Sequence, residues 1–380
     1  MTSNNALSTE PLVSVVTPFY NTVEYLPQCI ESVINQSYAN WEYILLDNCS
    51  TDGSDQVAKE YAAKEPRIRL LRNGVLLPQV QNYNAALSSI SVQSSYCKIV
   101  QADDWIYPEC LKLMVDLAES DPAIGIVSSY FLWGSRVEGQ GLPFTVTVMP
   151  GPEICRLQLS TSMFFFGSPT TVLYRSEQVR ATSPFFDLNT LHEDTDACYR
   201  ILLTRKFGFV HQVLSFSRID EDSIMSRIRV FGAELIDKLL QLYKYGPIYL
   251  EQEELTGCLG TYKRSYYRFL ARRLLAGSSG VFWRYHESGL QSAGQRIEYV
   301  RLFKYVCLEV LQLLANPGSA ASQLFDRIWA KISNNQRARR GRELQSNIGS
   351  SASISPRRSK HWKIGHDRLT DKDHVCPNRD

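Results

Sequence analysis

The sequence predicts an α/β fold, a parallel sheet covered by helices and followed by a helical C-terminal region. Three observations predict it. Short β-rich runs alternate with helical patterns from Val13 onward, polar turns bearing carboxylates follow three of these runs, and helical periodicity takes over from about Arg227.

Val13–Phe19 is apolar and rich in β-branched residues, and Leu26, Ile30, Val33 and Ile34 then give a first helix one apolar face. Tyr43–Asp47 is the second strand, with Val57, Tyr61 and Ala62 on the helix behind it. Ile68–Arg72 is the third, and the crossover after it, residues 79–91, is polar and carries the weakest helical signal. Cys97–Gln101 is the fourth strand, Leu111, Met114, Val115 and Ala118 mark the next helix, and Ile124–Ser129 is the fifth strand.

Residues 135–225 mix Gly, Pro and aromatic residues, including Phe164-Phe165-Phe166-Gly167-Ser168-Pro169, before Glu193-Asp194 opens the helical pattern Ala197, Ile201, Leu202. Beyond residue 227, Leu235, Leu239, Leu240, Leu242 and Tyr243 form one stripe, and Tyr299, Leu302, Phe303, Val306, Val310 and Leu313 another. Stripes of this spacing are as a rule core. The expected organisation is a disordered N-terminus (1–11), a main domain (12–226) divided after residue 134, a helical region (227–333) and a disordered basic tail (334–380).

Composition narrows the class of partner. With 41 basic against 39 acidic residues the net charge is +2, without the concentrated positive excess that a phosphate backbone demands, so nucleic acid is not expected. Nine cysteines lie singly with no Cys-x-x-Cys pair, which reads as reduced, mostly buried thiols of a cytosolic protein. Met1 to Glu10 is polar and lacks a signal core, and no apolar run reaches the ~18 residues of a spanning helix. The chain is expected to be cytoplasmic, with membrane contact at most peripheral, at the inner face.

In open α/β sheets ligands bind beyond the carboxyl ends of the strands. There the sequence places Pro18-Phe19-Tyr20-Asn21, then Asp47-Asn48-Cys49-Ser50-Thr51-Asp52, then Asp103-Asp104. Turn and cap propensity accounts for any one of these alone. Together they suit a nucleotide diphosphate, whose departure needs a divalent metal held by one or two carboxylates, the role that fits Asp103 and Asp104. A base for an acceptor hydroxyl is available at Glu193 or Asp194, and position alone does not choose between them; complementing the positive helix end is their bland alternative.

The stretch from Val13 to about Ser226 resembles the family-2 glycosyltransferases. The resemblance rests on Val13-Ser14-Val15-Val16-Thr17-Pro18-Phe19-Tyr20-Asn21, Glu24-Tyr25-Leu26, Ser32-Val33-Ile34-Asn35-Gln36-Ser37-Tyr38, the Asp47 to Ser54 turn and Ala102-Asp103-Asp104, in that order. It implies a GT-A-type fold with a mixed, mostly parallel sheet, a donor half at 12–134 and an acceptor half at 135–226. It implies that Pro18 and Tyr20 line the base with Asp47 close to it, that Asn48, Gln81, Asn82 and Asp103 belong to the nucleotide-sugar site, and that Asp104 is the direct ligand of Mn or Mg. Asp194 becomes the base, Glu193 faces the acceptor, Arg200 and Arg218 fall at family arginines, and Gly167-Ser168-Pro169 is the acceptor-side loop.

The implied activity is inverting transfer from a nucleotide-diphosphate sugar, with uridine expected as the nucleoside and guanosine or thymidine as variants. The implied acceptor is a hydroxyl of a glycan or lipid-linked glycan, in synthesis of a cell-surface or exported polysaccharide. Four positions depart from the pattern: Asn48, Gln101 and Asp220 stand where aspartate, aspartate and histidine are common, and Gln81 where arginine is. These permit a second reading, a catalytically silent binding subunit of a glycan-assembly complex. The absence of Gly-x-Gly-x-x-Gly after the first strand removes a nicotinamide-linked dehydrogenase, and an acidic pair after the fourth strand rather than the first removes an aspartyl phosphatase.

Overall fold

Successive residues of a strand point to opposite faces of a sheet, and in the computed structural model both faces of the leading strands are buried. Val13 and Val15 of β1 (Val13–Phe19), with Tyr43 and Leu45 of β2 (Trp41–Asp47), belong to one apolar cluster. Val16, Ile44 and Leu46 belong to the other. The structure describes residues 10–188, 190, 192–219 and 231–315.

The helices α1 (Leu26–Ile34), α2 (Ser54–Lys64), α3 (Gln79–Ser88) and α4 (Cys110–Ser120) connect β1, β2, β3 (Ile68–Arg72), β4 (Tyr96–Ile99) and β6 (Ile124–Trp133), with the short β5 (Trp105–Ile106) between β4 and α4. The polar crossover does form a helix, because Asn82, Tyr83, Ala86 and Leu87 supply a buried side despite its weak periodicity. Parallel pairing joins β3, β2, β1 and β4 in that order.

The second half makes the sheet mixed. Added are β7 (Arg136–Glu138), β8 (Val148–Pro150), β9 (Leu173–Arg175) and β10 (Lys206–Ser217), giving a ten-stranded sheet with β9 antiparallel between β4 and β6. The sheet is thus mixed, as the family resemblance implies, and β10 runs parallel to β6 with irregular register. Helices α5 (Gly151–Ser160), α6 (Ser176–Arg180) and α7 (Glu193–Leu202) complete this half.

Next come α8 (Ala233–Tyr249), α9 (Gln252–Leu275), α10 (Gly280–Ser292) and α11 (Tyr299–Ala315). Leu242, Tyr245, Tyr249, Leu250 and Leu255 lie in the same buried cluster as Ile126, Phe207 and Phe209 of the sheet, so one compact unit contains residues 10–266 and 280–296 among those described. A second unit contains residues 267–279 and, among those described, 297–315. There Glu309 receives Arg268 at 3.0 Å and Arg272 at 2.8 Å, and burial, which raises its carboxyl, is outweighed by these bonds.

Cys29, Cys97, Cys110, Cys155 and Cys198 are buried free thiols, in line with the sequence, whereas Cys49 is disulfide-bonded and departs from it. Among the described residues no helix is long and apolar enough to cross a membrane. The segments expected to be disordered at 1–9 and 334–380, the remainder of the helical region at 316–333, and Asp220 lie outside the described residues.

Candidate functional site

The carboxyl ends of β1 and β2 are laced together by their turns. Asn21 takes a positive φ of 52° and Cys49 one of 63°, a conformation that few side chains adopt without support. The support is local. Asn21 Oδ1 accepts from the Thr51 amide at 2.8 Å, Ser50 Oγ from the Asn21 amide at 3.1 Å, and Asp52 Oδ2 from the Val23 amide at 3.0 Å. Pro18 and Tyr20 are left half-buried at the mouth of the crevice.

Asp47, the last residue of β2, is 1% exposed. Its Oδ1 accepts from the Ser50 amide at 2.8 Å, while Oδ2 is buried with no hydrogen-bond donor and has only the Arg72 guanidinium at 3.5 Å. A buried carboxylate oxygen without a donor is costly, and a ligand N–H would satisfy it. Asn48 is committed elsewhere: its Oδ1 accepts from Asn73 Nδ2 and the Leu77 amide, both at 2.9 Å, and its Nδ2 donates to the Leu77 carbonyl at 2.9 Å. Both lone pairs of that amide oxygen are thus used within the chain, and Asn48 holds the loop after β3. Asn73 also donates to Asn82 Oδ1 at 2.8 Å, tying three strand and helix ends together. Gln81 next to it is exposed.

Asp104 sits just past β4 and is 4% exposed. Thr170 Oγ1 donates to its Oδ2 at 2.6 Å, Ser217 Oγ to the same oxygen at 3.1 Å, and the Arg218 amide to Oδ1 at 3.0 Å. Burial, with the neighbouring Asp103 second, pushes its carboxyl up to about 7. Asp103 is half-buried, and its carbonyl accepts from Arg218 Nε at 3.1 Å. Arg218 also lies over the rings of Tyr25 at 4.3 Å and Trp105 at 5.6 Å. Thr170 is presented by the turn that Gly167 begins at φ +75°, where a Cβ would meet Thr171 at 2.6 Å. Lys98, fully buried on β4, secures that turn by donating to the Thr170 carbonyl at 2.8 Å.

Glu193 and Asp194 occupy the first turn of α7. Asp194 Oδ1 accepts from the Thr195 amide at 2.7 Å. Burial raises both carboxyls, Glu193 to about 7 with Asp194 as the second cause. Asp196 on the same turn is structural, receiving Arg200 at 3.0 Å, Lys244 at 2.5 Å and the Tyr245 hydroxyl at 2.6 Å. Tyr83 of α3 is buried beside Gln101. Gln101 donates to its hydroxyl at 3.0 Å, and its ionisation is opposed first by burial, then by the charges of Glu193 and Asp103.

A divalent cation fits the carboxylate pair on the chemistry of its donors. An ionised carboxylate offers about four acceptor positions, three of which are taken on Asp104, leaving one on Oδ1 beside the accessible Asp103. Among the described residues no group of three or more His, Cys, Asp or Glu side chains could hold a metal by itself, so ligand oxygens would have to complete the sphere.

Asn73, Tyr83, Thr170 and Ser217 were not singled out from sequence. Each touches a residue that was, but from an element distant in the chain, and a lone Asn, Tyr, Thr or Ser carries no motif. Arg200 is drawn away from the crevice by Asp196 and the Phe185 carbonyl, and Ser223 lies outside the described residues.

Residues 14–177 match the family model described as Glycosyl transferase family 2. The chain is 28% identical over 225 residues to the glycosyltransferase GlyG of Streptococcus pneumoniae, covering 56% of this chain and 73% of that one. It is 37% identical over 123 residues to the uncharacterised protein y4gI of Sinorhizobium fredii, covering 32% of this chain and spanning only 13% of that protein. The fold is similar to that of S. aureus TarS 1-349 in complex with UDP-GlcNAc, with a TM-score of 0.54 at 18% identity over 74% of this chain and 81% of TarS.

Proposed function

Residues 14–177 are a family 2 glycosyltransferase domain, and from that premise we propose that this chain moves a sugar from a nucleotide diphosphate to an acceptor hydroxyl with inversion at the anomeric carbon. The observation that carries the reading is Asp104, buried at the carboxyl end of β4 beside the half-buried Asp103 and held by Thr170, Ser217 and the Arg218 amide from the second half of the domain.

Asp194 is the proposed base, with Glu193 turned to the acceptor. The acceptor oxygen attacks the anomeric carbon as its bond to the diphosphate breaks, the proton passes to the carboxylate, and the nucleotide leaves with the bonding electrons. Asp104 and Asp103 would hold Mn or Mg, which when bound supplies neutralising charge for the diphosphate. Arg218 anchors the Asp103 backbone beside them.

A uridine nucleotide is the proposed donor because Oδ2 of Asp47, ion-paired with Arg72 but receiving no hydrogen bond, suits the imide N–H of uracil, with Pro18 and Tyr20 beside the ring. The fold neighbour TarS in complex with UDP-GlcNAc agrees with that choice. The proposed acceptor is a glycan, free or lipid-linked, in polysaccharide synthesis on the cytosolic side. Peripheral contact with the inner membrane face is supported by α11, where Tyr299, Val300, Phe303, Leu311 and Leu314 are exposed.

The test is release of free nucleotide diphosphate from a set of labelled UDP-, GDP- and TDP-sugars with Mn2+, repeated with a chelator. Chelator-sensitive hydrolysis of a UDP-sugar is expected. No release from any of the donors would overturn the assignment and favour the binding-subunit reading.

A further inference from the structure

The three acids in the first turn of α7 are not partnered alike. Asp196 has its own cations, Arg200 at 3.0 Å and Lys244 at 2.5 Å, whereas no ion pair reaches Glu193 or Asp194 from the described residues. The positive group that acts on both is His192, the residue just before the helix. Its backbone is non-helical, with φ −130° and ψ 82°, and its carbonyl accepts from the Asp196 amide at 3.0 Å, which fixes its place at the helix start. Nε2 of His192 stands 3.7 Å from Oδ2 of Asp237 on α8. That oxygen also accepts from Gln241 Nε2, and Gln241 Oε1 accepts in turn from the Tyr199 hydroxyl of α7 at 3.4 Å. Two further bonds join the helices, from the Tyr245 hydroxyl to Asp196 Oδ1 at 2.6 Å and from the Tyr249 hydroxyl to the Tyr199 carbonyl at 2.5 Å.

Two adjacent carboxyls withdrawn from water ionise together only with a counter-charge nearby. We infer that His192 is a positioning residue for the proposed base: its imidazolium is the counter-charge that keeps Asp194 ionised, and Asp237 of α8 holds it in place. The inference rests on the base assignment above and extends it to α8. The charges that act on His192 are those of Asp237 and Glu234 on α8 and of Glu193 and Asp194 on α7. Burial pulls the imidazole down, but these carboxylates, Asp237 first, outweigh it and raise the group overall. Asp194 is raised by burial, against His192, and also interacts with Glu193 and Cys198 of α7, Tyr174 of β9 and Asp237. Asp187, Asp196 and Lys244 line the same cavity as His192 and Asp237, and Lys244 is committed to Asp196.

The experiment uses the full chain and has two readouts, the first of which needs no catalysis. In protein with isotope-labelled histidine and no added metal, NMR identifies the His192 ring among the six histidines by its loss in His192→Gln. Its titration midpoint should fall in Asp237→Asn and also in Asp194→Asn, each of which removes a neighbouring negative charge at constant shape. The second readout is kcat/KM against pH for hydrolysis, with Mn2+, of whichever UDP-sugar releases nucleotide, water taking the place of the acceptor hydroxyl. His192→Gln should lose about tenfold on the acidic limb, the effect of one opposite charge on a carboxyl, and keep its alkaline plateau within about twofold. Thermal melting checks the fold of each variant. An imidazole midpoint that either Asp variant leaves unmoved, or an acidic limb that His192→Gln leaves in place, overturns the inference while the base assignment stands. So does an equal loss at every pH, the mark of damaged packing. Full hydrolysis by Asp194→Asn, or none from any UDP-sugar by the wild type, removes the base assignment instead, and the role of His192 with it.

Discussion

The Thr170 hydroxyl donates to the buried carboxylate of Asp104 at 2.6 Å across 66 residues of sequence, and it also accepts from the Gln101 amide at 3.1 Å. A residue expected from sequence to be a ligand at a strand end is therefore also the joint between the two halves of the domain. Thr170→Val should cost about 1–2 kcal/mol of stability through the lost hydrogen bonds. Asp104→Ala should cost more, because Thr170, Ser217 and the Arg218 amide all lose their acceptor, at about 1–3 kcal/mol for each group left buried and unpaired. Urea denaturation measures both, and an unchanged midpoint for Asp104→Ala would refute the joint.

Nucleotide recognition turns on the unsatisfied Oδ2 of Asp47. Asp47→Ala should weaken UDP binding about 10- to 100-fold, the range for a hydrogen bond to a charged group. Uridine diphosphate methylated at the imide nitrogen separates recognition from folding. In calorimetry it should bind the wild type as poorly as UDP binds the variant, and equal affinity of both nucleotides for the wild type would place the base elsewhere.

Asp194→Asn keeps the shape of the first turn of α7 and removes the proton acceptor. Transfer should fall by about 100-fold or more while donor affinity stays within a few-fold. Proton NMR of the wild-type product from an α-linked donor should show a β-linkage. Retention of the α-configuration would defeat direct displacement, and full activity of the variant would move the base to Glu193.

The raised carboxyls set a pH profile. Glu193 moves from its ordinary 4.5 to about 7, and Asp194 is also raised, both first through burial. A base must be ionised and the Asp194 carboxyl is raised, so kcat/KM should climb as pH rises above the ordinary carboxylate range. Stability has the opposite sign. The folded chain holds this proton more tightly than the unfolded one, so between about pH 4.5 and 7 the Glu193 contribution to stability falls as pH rises. Rate profiles and denaturation midpoints across that window test both directions, and Glu193→Gln should flatten the second.

Peripheral membrane contact predicts salt-sensitive flotation with anionic vesicles. Phe303→Glu, a charge placed in the exposed stripe of α11, should reduce binding at low salt by about tenfold or more, since each apolar side chain withdrawn from lipid loses about 1.5–3 kcal/mol. Protein that remains unbound at low and high salt, with donor hydrolysis intact, would point to a soluble acceptor.

Local pattern alone determined the leading strands and the turns that carry Asp47 and Asp103-Asp104. Alternating burial and helical spacing repeat within a few residues, and Val13–Phe19 and Ile68–Arg72 form over the expected spans. The antiparallel insertion of β9 and the membership of α8 in the main unit were decided only by tertiary structure, since short strands and apolar stripes do not announce their partners. The same holds within the site. Asn48 had the right type to receive a base N–H, yet Asn73 and Leu77 claim its oxygen, and Asp104 acquires donors from Thr170 and Ser217, the latter 113 residues away. A side chain's hydrogen-bonding capacity belongs to its residue type, whereas the neighbours that consume that capacity are brought to it by the assembled sheet.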